Sequence, residues 1–279
     1  MKPLFDIVIC DLDGTLLRNN KKLSTRTIEI IQHLNKNKIP VILATARAPR
    51  DIEIYLDTLS IETPSICYNG ALIFERRNNK VLSTNMIDAL IVGKLFEVLK
   101  AGKYIDNYLA EKNNQFWVET IDDDVQGWIN MGCPPHAIGY PSDFVEDHLS
   151  KLLVRGDLAK IIRILEEQFK DQLIYTFSDS RRVWMEILCK NAGKAASVKW
   201  IARHYNVPLS KIVAFGDAEN DIEMLELAGL GVAMGNSEEH VKLKANRVAP
   251  TNEDDGVAFI LEELFIKKSK LEAAKGGFI

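Results

Sequence analysis

Apolar residues gather into short runs near both ends of the chain, and each run hands over to a stretch with helical spacing. The first run is Leu4-Phe5-Asp6-Ile7-Val8-Ile9-Cys10. Its Val and Ile centre reads as a strand buried on both faces, as in a parallel sheet. Ser24-Thr25 then caps a predicted helix on which Ile28, Ile31 and Leu34 recur at helical spacing. Pro40-Val41-Ile42-Leu43-Ala44 is a second buried strand ending at Thr45-Ala46-Arg47. Residues 49–59 form another helix, and Ile66-Cys67-Tyr68 is a third strand ending at Asn69-Gly70. Strand and helix in this alternation build a parallel sheet with right-handed crossovers.

Near Asn85 the pattern changes. A helix over 88–100 leads to strand-like segments at 104–110 and 115–118. Later, Asp157 caps a helix with Leu158, Ile161, Ile162, Leu165 and Phe169 along one face, and strand-like segments at 172–177 and 183–188 follow. Helix and two strands thus occur twice, an internal duplication that builds an α+β insert. Residues 121–150 carry little pattern; Asp122-Asp123-Asp124 reads as a solvated helix start and Cys133-Pro134-Pro135-His136 as a loop.

After Lys190 the alternation resumes. A helix over 194–205 precedes the strand Ile212-Val213-Ala214-Phe215, and Gly216-Asp217-Ala218-Glu219-Asn220-Asp221 ends that strand and opens a helix. Leu230-Gly231-Val232-Ala233 is a further strand, and a helix near 256–265 gives way to a tail expected to be peripheral. The fold class is α/β: a Rossmann-like parallel-sheet core with helices on both faces, from residues 1–84 and 190–279, interrupted by an inserted α+β domain over 85–189.

Length and composition fit this division. The 279 residues suit two domains, and 47% hydrophobic with 27% charged residues is an ordinary globular mix. A net charge of −4 with no basic block argues against a nucleic-acid partner. An anionic substrate must then be held by a local site. Cys10, Cys67, Cys133 and Cys189 are too scattered for a zinc set, and Cys10, Cys67 and Cys189 read as buried thiols. The short N-terminal run, broken by Asp6 and Asp11, is no signal peptide, and no apolar stretch is long enough to span a membrane. The expected location is the cytoplasm.

The strand ends carry the chemistry. Open α/β sheets bind ligands at the carboxyl ends of their strands, and Asp11-Leu12-Asp13-Gly14-Thr15-Leu16 lies at the first of these. Along extended chain Asp11 and Asp13 project to one side and Leu12 to the other. Such carboxylates repel unless a cation, or a proton on one of them, relieves the repulsion. By itself the segment is equally an Asp-rich turn. Asp217 and Asp221 are spaced to share a helical face, a like-charge pair that costs ~0.2–0.5 kcal/mol. By themselves they read as acidic residues at an ordinary helix start, where the dipole favours anions. Taken together the acids specify an Mg²⁺ site, since this ion takes carboxylate, water and phosphate oxygens. Thr45 offers a hydroxyl and a nearby backbone N–H to phosphoryl oxygens, and Lys194 a point charge; by itself, Lys194 reads as a solvated helix-start lysine, and its value comes from what surrounds it. Asp11 is then the candidate nucleophile, forming an aspartyl phosphate, and Asp13 the general acid and later base.

The Asp11–Leu16 segment resembles the first motif of the haloacid dehalogenase (HAD) superfamily of phosphatases. Thr45, Lys194 and Gly216-Asp217-x-x-Asn220-Asp221 match its second, third and fourth motifs in order, and the insert resembles the large α/β cap of the Cof-type branch. The resemblance implies Mg²⁺ ligation by Asp11, the backbone carbonyl of Asp13 and Asp217, with Asp221 supporting the metal or its waters. It implies phosphate contacts from Leu12 N–H, Thr45, Ala46 N–H, Lys194 and Asn220. Ala46 stands where the family usually has Gly, and Asn191-Ala192-Gly193-Lys194-Ala195 departs from the commoner Gly-Val-Ser-Lys-Gly. Arg47 is read both as a substrate-positioning residue and as a structural ion pair.

The function expected is hydrolysis of a small phosphorylated metabolite, a sugar phosphate or phosphorylated cofactor. A phosphomutase and a non-hydrolytic phosphoacceptor or binding protein are the alternatives. Specificity belongs on the cap, where Trp117, Trp128, His136 and Trp184 are candidate lining residues or ordinary packing.

Overall fold

The computed structural model describes residues 4–112, 114–130, 132–139, 147–177 and 183–267. The expected peripheral tail, and residues 140–146 of the stretch with little pattern, lie outside the described residues. The chain divides into two compact units, Met1–Leu82 with Gly193–Ile279, and Ser83–Ala192.

The first unit is built on a parallel sheet. Strands β1 (Ile7–Cys10) and β2 (Val41–Leu43) are wholly buried, as their unbroken apolar runs require. With β12 (Ile212–Gly216), β13 (Leu230–Ala233) and β14 (Arg247–Val248) they form one sheet in the order β14-β13-β12-β1-β2. β1 lies between β2 and β12, with Cys10 level with Leu43 on one side and Phe215 on the other. Three strand ends separated by up to two hundred residues of sequence are thereby brought level.

Helices cover both faces. Ile7, Ile9, Ile42 and Ala214 pack with Val198, Ile201, Met224 and Leu225, which belong to α6 (Lys194–His204) and α7 (Ile222–Leu227). α1 (Thr25–Lys36), capped by Ser24 as expected, packs against β2 and against α9 (Gly256–Leu261). The helix expected over 49–59 begins as a 3₁₀ turn at Pro49–Asp51 and becomes α2 (Glu53–Leu59). The final helix changes after Leu261 into a π-helical turn over Glu262–Lys267. α8 (Glu239–Lys242) is a single turn.

A small antiparallel sheet branches from this layer. A parallel bridge from Ala44 to Ile66 links it to β3 (Ser65–Cys67), which pairs with β4 (Leu72–Glu75), followed by β5 (Lys80–Thr84). The sequence pattern did not foretell β4 and β5. β5 has no buried residue, so no apolar alternation marks it, and its turn rests on Asn79 in a left-handed conformation.

Among the described residues the second unit is a six-stranded sheet of β6 (Ile105–Lys112), β7 (Gln115–Val118), β8 (Ala137–Ile138), β9 (Lys151–Gly156), β10 (Leu173–Phe177) and β11 (Met185–Cys189), in the order β10-β11-β9-β6-β7-β8. The expected repeats appear as α3 (Ala89–Ala101), β6 (Ile105–Lys112), β7 (Gln115–Val118) and as α5 (Leu158–Ile164), β10 (Leu173–Phe177), β11 (Met185–Cys189). Asp88 and Asp157 cap the two helices with their side chains. α3 and α5 cover one face, where Leu95, Phe96 and Ile161 pack on Tyr108, Leu152 and Ile187. α4 (Asp123–Asn130) brings Val125 and Trp128 to Leu109, Phe116, Leu153 and Trp184 of the other face. The central strand β9 (Lys151–Gly156) was not anticipated; its apolar core is only Leu152-Leu153-Val154 between charged neighbours. β8 is the short pair Ala137–Ile138.

The solvated start expected at Asp122-Asp123-Asp124 is half right. Asp122 caps α4 through Val125 N–H, but it also accepts from Asn107 Nδ2 at 2.6 Å and Arg155 Nη2 at 2.7 Å. Asp124 accepts from Arg155 and from Trp184 Nε1. These donors come from β6, β9 and the approach to β11, which local spacing does not reveal. Cys10 and Cys67 are buried thiols as expected, whereas Cys189 is half-buried. Among the described residues no helix is long and apolar enough to cross a membrane.

Candidate active site

The parallel sheet sets the position of Asp11. Its N–H continues the ladder by donating to Phe215 O at 2.9 Å, so the first residue beyond β1 is tied to the end of β12. Two residues past that point stands Asp217. Thr15 Oγ1 donates to Asp217 Oδ1 at 2.7 Å and fixes its carboxylate. Gly14 permits the approach: its φ is +80°, and a Cβ there would overlap the Asp217 carboxylate. Leu12 is fully buried, and its carbonyl accepts from Leu16 and Leu17 N–H, closing the turn that carries Asp13.

Asp221 is drawn into the same centre. Its Oδ2 accepts from the N–H groups of Asp217 and Ala218 at 3.0 and 3.2 Å. Lys194, the first residue of α6, donates to Asp11 Oδ1 and Asp221 Oδ1, both at 2.6 Å, and its side chain is 1% exposed. Asp11, Asp217 and Asp221 each place one oxygen so that the three lie within 4.8 Å of one another. Asp13 is not in this group.

With all three carboxylates ionised, this buried centre carries two more negative charges than Lys194 neutralises. Burial pushes the Asp11 carboxyl well above the usual carboxylate range against the pull of Lys194, and Asp221 and Asp217 push it further. Burial chiefly, with Asp221, lifts Asp217 to about 6, opposed by the Thr15 hydrogen bond and by Lys194. For Lys194, burial alone would lower the pKa, but Asp11 and Asp221 outweigh it and hold the ammonium charged. An all-oxygen donor set with two charges to neutralise fits a hard divalent cation.

Asp13 has separate partners. Arg47 Nε donates to Oδ2 at 2.6 Å and Arg47 Nη2 to Oδ1 at 2.7 Å, and Lys21 Nζ adds 2.7 Å to Oδ1. Burial would raise the Asp13 pKa, but hydrogen bonds from Arg47 and then Lys21 overcome it and lower the value. Arg47 thus forms an ion pair with Asp13. Tyr55 lies under the Arg47 guanidinium, with 5.3 Å from Cζ to the ring centroid.

The remaining expected phosphate contacts lie around the same strand ends. Thr45 is 1% exposed; its N–H donates to Ile66 O, and its Oγ1 accepts from Arg47 N–H at 3.2 Å. Ala46 follows it on the loop between β2 and the Pro49–Asp51 turn, half-buried. Asn220 Nδ2 donates to Asn69 Oδ1 at 2.9 Å. Thr15, Lys21 and Asn69 were missed as contributors. Thr15 and Asn69 stand inside segments the sequence singled out, but their partners are 202 and 151 residues away. Of the aromatic candidates in the second unit, Trp117 belongs to the core beneath α3 and α5, with His136 against its edge at 4.9 Å. Trp128 and Trp184 pack at 5.7 Å in the cluster under α4.

Known proteins share this architecture. Residues 8–261 match the family model for haloacid dehalogenase-like hydrolases. The chain is 32% identical over 267 residues to the 5-amino-6-(5-phospho-D-ribitylamino)uracil phosphatase YitU of Bacillus subtilis, covering 93% of this chain and 97% of that protein. It is 26% identical to the pyridoxal phosphate phosphatase YbhA of Escherichia coli, covering 92% and 98%. The crystal structure of TM0651 from Thermotoga maritima superposes with a TM-score of 0.82 at 27% identity, covering 93% of this chain and 97% of that one. With the carboxylate centre at the sheet edge and a match running nearly end to end, the chain belongs to the haloacid dehalogenase-like hydrolases and is a phosphoric monoester hydrolase.

Proposed function

We propose that the protein is an Mg²⁺-dependent phosphatase of a small phosphorylated metabolite, working through an aspartyl phosphate on Asp11. The observation that carries this reading is the gathering of Asp11, Asp217 and Asp221 around one point beside Lys194, whose single charge cannot balance three ionised carboxylates. Asp11, Asp217 and the backbone carbonyl of Asp13 would hold the ion, with Asp221 supporting from behind because both its oxygens already accept from the chain. When bound, the ion supplies positive charge to the phosphoryl oxygens and keeps Asp11 ionised at neutral pH.

The chain's own residues do the rest. Lys194 and the Thr45 hydroxyl, with the N–H groups of Leu12 and Ala46 and the Asn220 amide, orient the phosphoryl group for in-line attack. An Asp11 oxygen forms a bond to phosphorus as the bond to the leaving alcohol breaks, and Asp13 gives that alcohol its proton. Asp13, now ionised, takes a proton from water, whose oxygen attacks phosphorus and releases Asp11 and phosphate. Arg47 and Lys21 favour the ionised Asp13 of the second half-reaction. To hold a proton for the first, Asp13 must loosen that grip.

The insert over residues 85–189 is read as a cap that excludes water and contacts the leaving group. The cytoplasm is the proposed location. The name of the Bacillus relative makes a ribityl phosphate carrying a heterocycle the first compound to assay. The test is release of phosphate from an aryl phosphate and from a panel of metabolites, with Mg²⁺ and with a chelator, in ¹⁸O-labelled water. Metal-dependent release with one solvent oxygen in the phosphate supports hydrolysis. Transfer to a second substrate hydroxyl, or equal rates with chelator, overturns it.

A further inference from the structure

Tyr68, Asn69 and Gly70 follow β3 with φ values of 50°, 52° and 92°, three consecutive residues in the left-handed region. Only glycine adopts this region freely, so a run containing a buried tyrosine is strained and persists because its surroundings hold it. Tyr68 is fully buried and Asn69 is 5% exposed.

The surroundings are three loops of the candidate site. Tyr68 N–H donates to Arg47 O and Asn69 N–H to Thr45 O, tying the turn to the loop that carries Thr45 and Ala46. Gly70 lies against the backbone of Gly193, where a Cβ would overlap the Gly193 carbonyl, and its own carbonyl accepts from Ser197 Oγ at 3.3 Å. That seats the turn on the first residues of α6, beside Lys194. The Asn69 side chain faces the third loop, where Asn220 Nδ2 donates to Asn69 Oδ1 at 2.9 Å.

A carboxamide nitrogen carries two hydrogens in one plane. Holding one of them fixes the plane and the direction of the other. We infer that Asn69 is a positioning residue: from its strained turn it orients the Asn220 amide so that the second hydrogen is presented to a phosphoryl oxygen. This rests on the proposed role of Asn220 and adds to it a group that does not itself touch substrate. The left-handed backbone suits the residue type, because asparagine and aspartate tolerate that conformation better than longer side chains, and asparagine accepts the bond without adding another negative charge beside the acids.

The test compares the contribution of Asn220 in two backgrounds by a double-mutant cycle. Asn69→Gly removes the acceptor and keeps the left-handed turn at no steric cost. The single variants Asn69→Gly and Asn220→Ala and the double variant are assayed with Mg²⁺ and an aryl phosphate for kcat and KM, and for competitive inhibition by inorganic phosphate. Asn220→Ala is expected to lower kcat/KM about tenfold in the wild-type background and less than twofold with Gly at 69. Asn69→Gly alone is expected to weaken inorganic phosphate severalfold. Should the glycine variant melt below the assay temperature, Asn69→Ser, whose hydroxyl is too short to reach Asn220, replaces it in the cycle. A 69 variant within twofold of wild type, or the same tenfold loss at 220 in both backgrounds, overturns the inference. Asn220→Ala with unchanged kinetics in the wild-type background refutes instead the phosphate role of Asn220, and the inference with it.

Discussion

Arg47 clasps Asp13 through two parallel hydrogen bonds of 2.6 and 2.7 Å, the bidentate geometry in which a guanidinium binds a carboxylate most strongly. Replacing Arg47 with Gln leaves Asp13 with the exposed Lys21 as its cation, and the carboxyl becomes easier to protonate. Under the proposed mechanism an alkyl phosphate needs that proton on its leaving group. The alkaline limb of its kcat/KM profile therefore moves to higher pH in Arg47→Gln. An aryl phosphate with a good leaving group shows a smaller displacement. Superimposable profiles for the alkyl ester would remove Asp13 from the proton-transfer role.

Asp11→Asn removes the proposed nucleophile but not the shape. Phosphate release is expected to fall by at least ~10³-fold, the scale on which a covalent catalyst is lost. The metal-free protein is expected to melt no lower than wild type. Burial and two neighbouring carboxylates disfavour a charge on Asp11, and Lys194 keeps Asp221 as a partner. Activity within tenfold of wild type would exclude Asp11 as nucleophile.

Lys194→Ala has the opposite signature. It leaves Asp11 and Asp221 buried without their shared cation, a change that costs about 3–5 kcal/mol in comparable sites. Denaturant unfolding without metal should show a loss of that size, with part of it recovered at saturating Mg²⁺. Loss of less than ~1 kcal/mol would mean that water reaches this centre freely.

The metal-free stability should fall with rising pH in a defined window. Asp217 has a folded pKa of about 6, above its unfolded value, so the native state binds the extra proton between the two. Its contribution is fully present below the unfolded pKa and is lost as pH rises through about 6. A divalent cation competes with that proton. The rise in Tm on adding Mg²⁺ should therefore be larger at pH 7.5 than at pH 5. An equal rise at both would place the ion away from Asp217.

Gly14→Ala probes the approach of two loops. Positive φ and the Asp217 carboxylate both oppose a side chain at position 14. The variant should bind Mg²⁺ at least tenfold more weakly by calorimetry, with Asp217 displaced from Thr15. Unaltered affinity would show that Asp217 can move without cost to the ion.

The parts of this molecule that local pattern could reveal are those whose neighbours in sequence are neighbours in space. β1, β2 and β12 announce themselves as apolar runs, and Ser24, Asp88 and Asp157 as helix caps, because each depends on residues within a turn or two. The strand-end acids were legible for a related reason: the sheet rule says where such residues gather. What stayed hidden is set by distant partners. Thr15 shows its purpose only when Asp217 is beside it, and Asn69 only when Asn220 is. β9 was obscured because Lys151 is buried against Glu186, a residue on another strand, so a charged position did not mark a solvent-facing one.

The order of strands has a consequence for biosynthesis. β1 is made first, yet its partner on one side, β12, follows about 200 residues later, after the whole second unit. At ~5–20 residues per second a ribosome needs roughly 10–40 s to cover that span. Lys194 is made shortly before β12 and Asp217 just after it, and until β12 arrives one flank of the nascent β1 is an open hydrogen-bonding edge. A truncated chain from a stalled ribosome therefore carries a sticky strand and an incomplete carboxylate centre, since Asp217 and Asp221 lie beyond β12.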